Sequence, residues 1–182
     1  YQKDYTPDPT VSAIMKKYED LNAPIKAEIV GDSMQTLPKG YPSTDTFGDY
    51  ALGNLIADGM KVAMNADFAM MNGGGVRAQL DAGEVTFGDL FAIQPFGNVL
   101  NKVMLSGKDI ETVLNNQITD KGLDFHIAGF KYTWDSSTKK VVDIFLPDGS
   151  KIDPNKEYSV VVNNYMYGNI KYGIGDLSTN LE

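Results

Sequence analysis

The stretch that most limits what this chain can become is Asn72-Gly73-Gly74-Gly75-Val76-Arg77. It follows Phe68-Ala69-Met70-Met71, a short apolar run that reads as a buried strand. Three successive glycines add nothing to a core; they allow φ > 0 and let another group come close to the backbone. Arg77, two residues past the triplet, is the only arginine in the chain, and the other fifteen cationic side chains are lysine. A planar guanidinium grips a phosphate or carboxylate through two parallel hydrogen bonds, which an ammonium group does not reproduce. The stretch therefore predicts an anion site at a strand end, made of glycine-loop N–H groups and one arginine. A tight turn beside a surface arginine is the plain alternative.

With 182 residues the chain is long enough for one domain with a full core or for two small ones. Its net charge of −8 argues against binding a nucleic-acid polymer, which needs a basic face, but leaves room for one small anion at a local positive site. With no cysteine there is neither a disulfide framework nor a thiolate metal site, and the one histidine, His126, rules out a zinc centre built from several histidines. His126 reads as a strand-edge or hydrogen-bonded structural residue rather than a catalyst. No apolar run approaches the roughly 20 residues of a membrane span, and the polar Tyr1–Pro9 segment does not read as a signal peptide. Because the chain starts on Tyr1 and closes on Leu181-Glu182, a longer parent protein is expected.

Asp8 with Pro9 opens a first helix whose apolar residues are Val11, Ile14, Met15, Tyr18 and Leu21, and Pro24 is expected to end it. Residues 26–30 alternate like a strand, and 31–48 read as a long polar loop. A second helix is expected over 49–64, with a stripe of Leu52, Leu55, Ile56, Met60 and Ala63. Gly53 and Gly59 weaken it by roughly 1 kcal/mol each against alanine, which suggests close packing or ligand approach at both. Thr86 with Asp89 has the spacing of a capping box for a short helix ending at Ile93, and Ser106 with Asp109 starts another that carries Ile110, Val113, Leu114 and Ile118. Strands are expected at 99–105, 127–134, 141–146 and 158–163, with turns at 135–137 and 147–149. Irregular alternation of helices and strands predicts a single α+β domain with mixed sheets and helices packed on them.

Two aromatics fall where turns would present them: Phe96 between Pro95 and Gly97, and Tyr165 after Asn163-Asn164 at a strand end. They read either as core plugs or as stacking surfaces for a nucleobase, each worth about 1–3 kcal/mol per base. Asp45 and Asp49, in the polar loop, read as solvated carboxylates rather than an acid–base pair.

Gly53-Asn54-Leu55-Ile56-Ala57-Asp58, Ala66-Asp67, Asn72-Gly73-Gly74-Gly75-Val76-Arg77, Gly83 and Pro95-Phe96-Gly97-Asn98 together resemble, in order and spacing, the C-terminal domain of the 5′-nucleotidase family, which includes UDP-sugar hydrolases. The resemblance extends through the 108–118 helix, Gly129-Phe130-Lys131-Tyr132 and Val160-Val161-Val162-Asn163-Asn164-Tyr165, so that residues 1–182 are taken as one such domain. It implies a layered α/β/β/α fold. It also implies a division of labour, in which an N-terminal metallophosphoesterase domain holds two divalent metals of the zinc or manganese type and this domain binds the nucleotide. The chain alone is then expected to be inactive, and the parent to be extracytoplasmic. Carried over by position, the resemblance puts Arg77 on phosphate with Asn72, Gly74 and Gly75 around it. Phe96 and Tyr165 become the two walls of a base clamp, Asn98 a contact to the base edge, and Gly129 or Ala128 a backbone contact to the base.

Two departures bear on the substrate. The arginine that the family often carries before the Gly-Asn-Leu segment is absent from Thr46-Phe47-Gly48-Asp49-Tyr50, and Lys171 stands near the place of the family's ribose-binding Asp. Tyrosine at the clamp is similar to relatives acting on 2′,3′-cyclic nucleotides and 3′-nucleotides. That activity and a non-enzymatic nucleotide sensor are the alternatives to 5′-nucleotide hydrolysis, and Lys171 reads as solvated.

Overall fold

A computed structural model of the chain describes residues 5–40, 50–120 and 122–182. Asp45 and Asp49, with residues 41–48 of the expected polar loop, lie outside the described residues.

The centre of the molecule is a four-stranded mixed sheet. Its strands are β2 (Phe68–Asn72), β4 (Leu100–Ser106), β5 (Phe125–Ala128) and β8 (Glu157–Asn163), in the spatial order β4-β8-β2-β5. β2 runs parallel to β8, and both outer pairings are antiparallel. Strand alternation sorts the side chains to two faces. Ala69, Met71, Ala128 and Val161 pack with Ala57 and Met60 of helix α2 (Ala51–Ala63). Phe68, Met70, Val160 and Val162 point the other way, into a larger core closed by Ile110, Val113 and Leu114 of helix α4 (Gly107–Gln117) and by the hairpin β6 (Lys131–Asp135) with β7 (Lys140–Phe145). All five residues of β2 are buried, as its unbroken apolar run requires.

A smaller antiparallel pair, β1 (Ile29–Ser33) with β3 (Gly83–Thr86), lies beside α3 (Phe87–Ile93). Its Val85 joins Leu52, Val76, Leu80 and Ile93 in a separate cluster. The expected caps are present: Asp8 accepts from Thr10 N and Val11 N, Thr86 and Asp89 cap reciprocally, and Ser106 accepts from Asp109 N.

Several expectations are corrected. Pro24 lies inside α1 (Pro9–Lys26), which ends two residues later. The proline removes only one helical bond, to the carbonyl of Asp20, and that turn faces solvent. No residue of α1 is buried; Val11, Ile14, Met15, Tyr18 and Leu21 form an apolar stripe open to solvent. The strand expected at 26–30 is displaced to Ile29–Ser33 because the helix runs through Lys26. In α2 the buried positions are Leu52, Gly53, Ala57 and Met60, whereas Leu55 and Ala63 are exposed. A Cβ on Gly53 would sit 2.1 Å from the buried His126 ring, so close packing does explain that glycine; Gly59 has no atom within 4 Å of such a carbon. The strand expected over 127–134 divides into β5 and β6 at Gly129, whose φ of +88° breaks the extended backbone. The tail adds two short helices not foreseen, α5 (Asn164–Gly168) and α6 (Ile174–Leu177).

Candidate functional site

Three segments meet where β2 and β8 end. The first is the glycine triplet, which leaves β2 at Asn72 and forms one 3-10 turn, closed by Val76 N donating to Gly73 O at 3.1 Å. None of its glycines has a positive φ, so of the two freedoms glycine offers it is close approach that is used. What the turn uses is the missing side chain: a Cβ on Gly75 would lie 2.3 Å from Met71 Cε and 3.2 Å from Asn72 Oδ1. Gly73 N donates to Asp124 O at 2.7 Å and Arg77 N to Ile93 O at 2.9 Å, so both ends of the turn are anchored. Gln94 Nε2 adds a 3.2 Å bond to Gly75 O.

The second segment is Pro95–Asn98, between α3 and β4, with Gly97 at φ +61°. The third is the β8–α5 junction, where Asn163 ends the strand and caps the helix. Together they enclose a cleft of about 430 Å³ lined by Asn72, Gly74, Gly75, Phe96, Asn98 and Tyr165. Phe96 and Tyr165 are 56% and 54% exposed, which rules out the core-plug reading for both. Six of the eight residues expected at the site are thus brought to one cleft.

Arg77 stands beside it. Its guanidinium carbon lies 5.7 Å from the centre of the Phe96 ring, within cation–π range, and Nη1 donates to Gly74 O at 3.2 Å. One guanidinium thus braces the turn and an aromatic wall of the cleft. Gly129 is placed elsewhere. Ala128 pairs with Ala69, and Asn72 lies three residues further along β2, so roughly 10 Å of strand separates Gly129 from the cleft end. A Cβ there would meet Asp67 O at 2.2 Å, so this glycine serves a turn packed on backbone. On β5 it is Phe125, opposite Asn72, that lies at the cleft end. Lys171 is exposed, with Nζ 5.8 Å from the Tyr172 ring centre. Among the described residues no group of three or more His, Cys, Asp or Glu side chains is placed to hold a metal ion.

Beneath the cleft lies Asn163, 2% exposed and not singled out from the sequence. Its Oδ1 accepts from Met166 N at 2.8 Å, which turns its amide nitrogen toward Asn72 Oδ1 at 2.9 Å and Met71 Sδ at 3.3 Å. With that oxygen engaged, Asn72 has its own amide nitrogen to offer a ligand. Asn164 is the other supporting residue, bonded to Val99 through both backbone and side chain. Paired asparagines at a strand end were the available signal, since asparagine is a preferred helix cap.

Residues 29–173 match the family described as 5′-nucleotidase, C-terminal domain. The chain is 51% identical over 166 residues to Endonuclease YhcR of Bacillus subtilis (strain 168), covering 91% of the chain and 13% of that protein. It is 30% identical over 191 residues to Cell wall protein Lmo0130 of Listeria monocytogenes, covering 91% of the chain and 24% of that protein. The crystal structure of a 5′-nucleotidase precursor from Thermus thermophilus superposes with a TM-score of 0.80 at 26% identity, over 95% of this chain and 37% of that one. The chain therefore spans well under half the length of each of these relatives.

Proposed function

The chain belongs to the 5′-nucleotidase C-terminal domain family, and we propose that it is the nucleotide-recognition domain of a nucleotide phosphohydrolase. The observation that carries this reading is the gathering of Phe96, Asn98 and Tyr165 with Asn72 and the Gly74–Gly75 turn around one cleft. Its volume falls within the roughly 300–1,000 Å³ usual for small-molecule sites. Two half-exposed rings offer faces to a base, and Asn98 offers both donor and acceptor to its edge. Arg77 and the glycine turn form the neighbouring anion site; a guanidinium that spends one donor on Gly74 O keeps others for phosphate.

The divalent metals that the family implies do not fit the described residues of this chain. We place them, and the hydrolytic chemistry, on an N-terminal metallophosphoesterase domain of a longer parent. The name of the Listeria relative, a cell wall protein, supports an extracytoplasmic parent, and that of the Bacillus relative, an endonuclease, suits a parent that handles nucleotide phosphoesters. Tyr165 at the clamp and Lys171 near the expected acidic position favour a second reading, with 3′- or 2′,3′-cyclic phosphates as substrates.

Titration calorimetry tests the recognition role. AMP is expected to bind, and Phe96→Ala or Tyr165→Ala to weaken it by about fivefold to 150-fold, the equivalent of one lost base–aromatic stack. Equal binding by wild type and both variants would contradict the reading. Phosphate release by the full-length parent from 5′-, 3′- and cyclic nucleotides separates the two enzymatic readings, and release from none favours a sensor.

A further inference from the structure

Phe96 and Tyr165 are far apart in sequence, yet a short path joins them. Strand β4 pairs with β8 up to Leu100 opposite Asn163. One residue further on, β8 has already turned into α5, and an ordinary ladder would stop. Instead Asn164 N donates to Val99 O at 3.0 Å, and Val99 N donates to the Asn164 side-chain oxygen Oδ1, also at 3.0 Å. The side chain supplies the acceptor that the helical backbone can no longer present. Val99 directly follows Asn98, and Asn164 directly precedes Tyr165. This two-bond bridge is therefore the last fixed point before the chain reaches either wall of the cleft.

We propose that Asn164 is a positioning residue: by holding Val99 from both sides it fixes the separation and orientation of the Phe96 and Tyr165 rings. The proposal rests on the base-clamp reading above. It follows from a general requirement that rings gain from a base only when both already stand at stacking distance, since ordering a loose loop on binding subtracts from affinity. Val99 is itself exposed, so these two bonds, rather than burial of its side chain, hold it against the β8–α5 junction. Asn164 is also exposed, so its loss leaves no buried polar group behind, and its effect is separable from folding.

The test compares Asn164→Ala with Asn164→Asp, whose carboxylate still accepts from Val99 N–H. Adenosine, which is uncharged, reports the clamp; ribose 5-phosphate, which has no base, reports the anion site. Asn164→Ala is expected to weaken adenosine about tenfold while ribose 5-phosphate stays within about twofold, and Asn164→Asp to keep adenosine within about twofold. No change for adenosine in Asn164→Ala, or equal losses for both ligands, overturns the proposal. In the ligand-free chain, the Phe96 and Tyr165 ring signals are expected to shift by NMR in Asn164→Ala and to hold in Asn164→Asp; unshifted signals in both overturn it. Wild-type protein that binds neither ligand overturns the functional reading, and the ring signals then decide by themselves whether Asn164 sets the rings.

Discussion

Asn163 donates a 2.9 Å hydrogen bond to the Asn72 side-chain oxygen, joining the ends of β8 and β2 across 91 residues of sequence. Both side chains are almost fully buried, Asn163 beneath the cleft and Asn72 with its edge on it. Asn163→Ala removes this bond and the cap on α5 together. Stability is expected to fall by about 1–3 kcal/mol, the range for stranding a buried polar partner, with a parallel loss of nucleotide affinity. Urea unfolding and calorimetry measure the two effects, and a variant as stable as wild type would show that the bond supports nothing.

Gly53 faces the His126 ring with no room for a methyl group. The histidine is held in the sheet on β5, opposite Met71, so the cost falls on the α2–β5 contact. Gly53→Ala is expected to cost about 1–3 kcal/mol despite its better helix propensity. The matching Gly59→Ala, with open space around it, is expected to be neutral or mildly stabilising. Thermal melts of the two variants decide this, and similar melting points would contradict it.

Arg77 has two attachments, the carbonyl of Gly74 and the face of Phe96. Lysine keeps the charge but loses the flat face and the fork. Arg77→Lys is expected to weaken AMP by about tenfold while stability changes by less than about 0.5 kcal/mol, as for other exposed positions. Unchanged AMP affinity would remove Arg77 from the site.

The Asp89 carboxylate lies below its ordinary titration range, first because the Thr86 hydroxyl donates to it and then because the Thr86 amide does. A carboxyl group whose pKa is lower folded than unfolded contributes stability above the unfolded value and loses it as pH falls through the folded one. Asp89→Asn should therefore be less stable than wild type near about pH 7, and the gap should be narrower at about pH 3. Urea unfolding at the two pH values measures the gap, and a gap that stays constant would contradict the capping account.

Much of this was legible in the sequence where local chemistry decides the outcome. The run from Phe68 to Met71 ends on three glycines, and the caps at Asp8, Thr86 and Ser106 need only neighbouring residues. Phe96 and Tyr165 were legible as surface rings from their flanking turn residues. What escaped depends on distant partners. The outward stripe of α1 has the same periodicity as a buried face. Gly129 looks like a ligand contact until its pairing puts it at the far end of β2. α5 and α6 are too short to show a helical period, and the supporting roles of Asn163 and Asn164 appear only once β2 and β4 lie on either side of β8.

The most direct measurement is a crystal structure of the chain with bound AMP. The base is expected between Phe96 and Tyr165 with its edge at Asn98, and the phosphate beside Arg77 and the Gly74–Gly75 turn. A nucleotide bound elsewhere, or held with its base outside the two rings, would contradict the account.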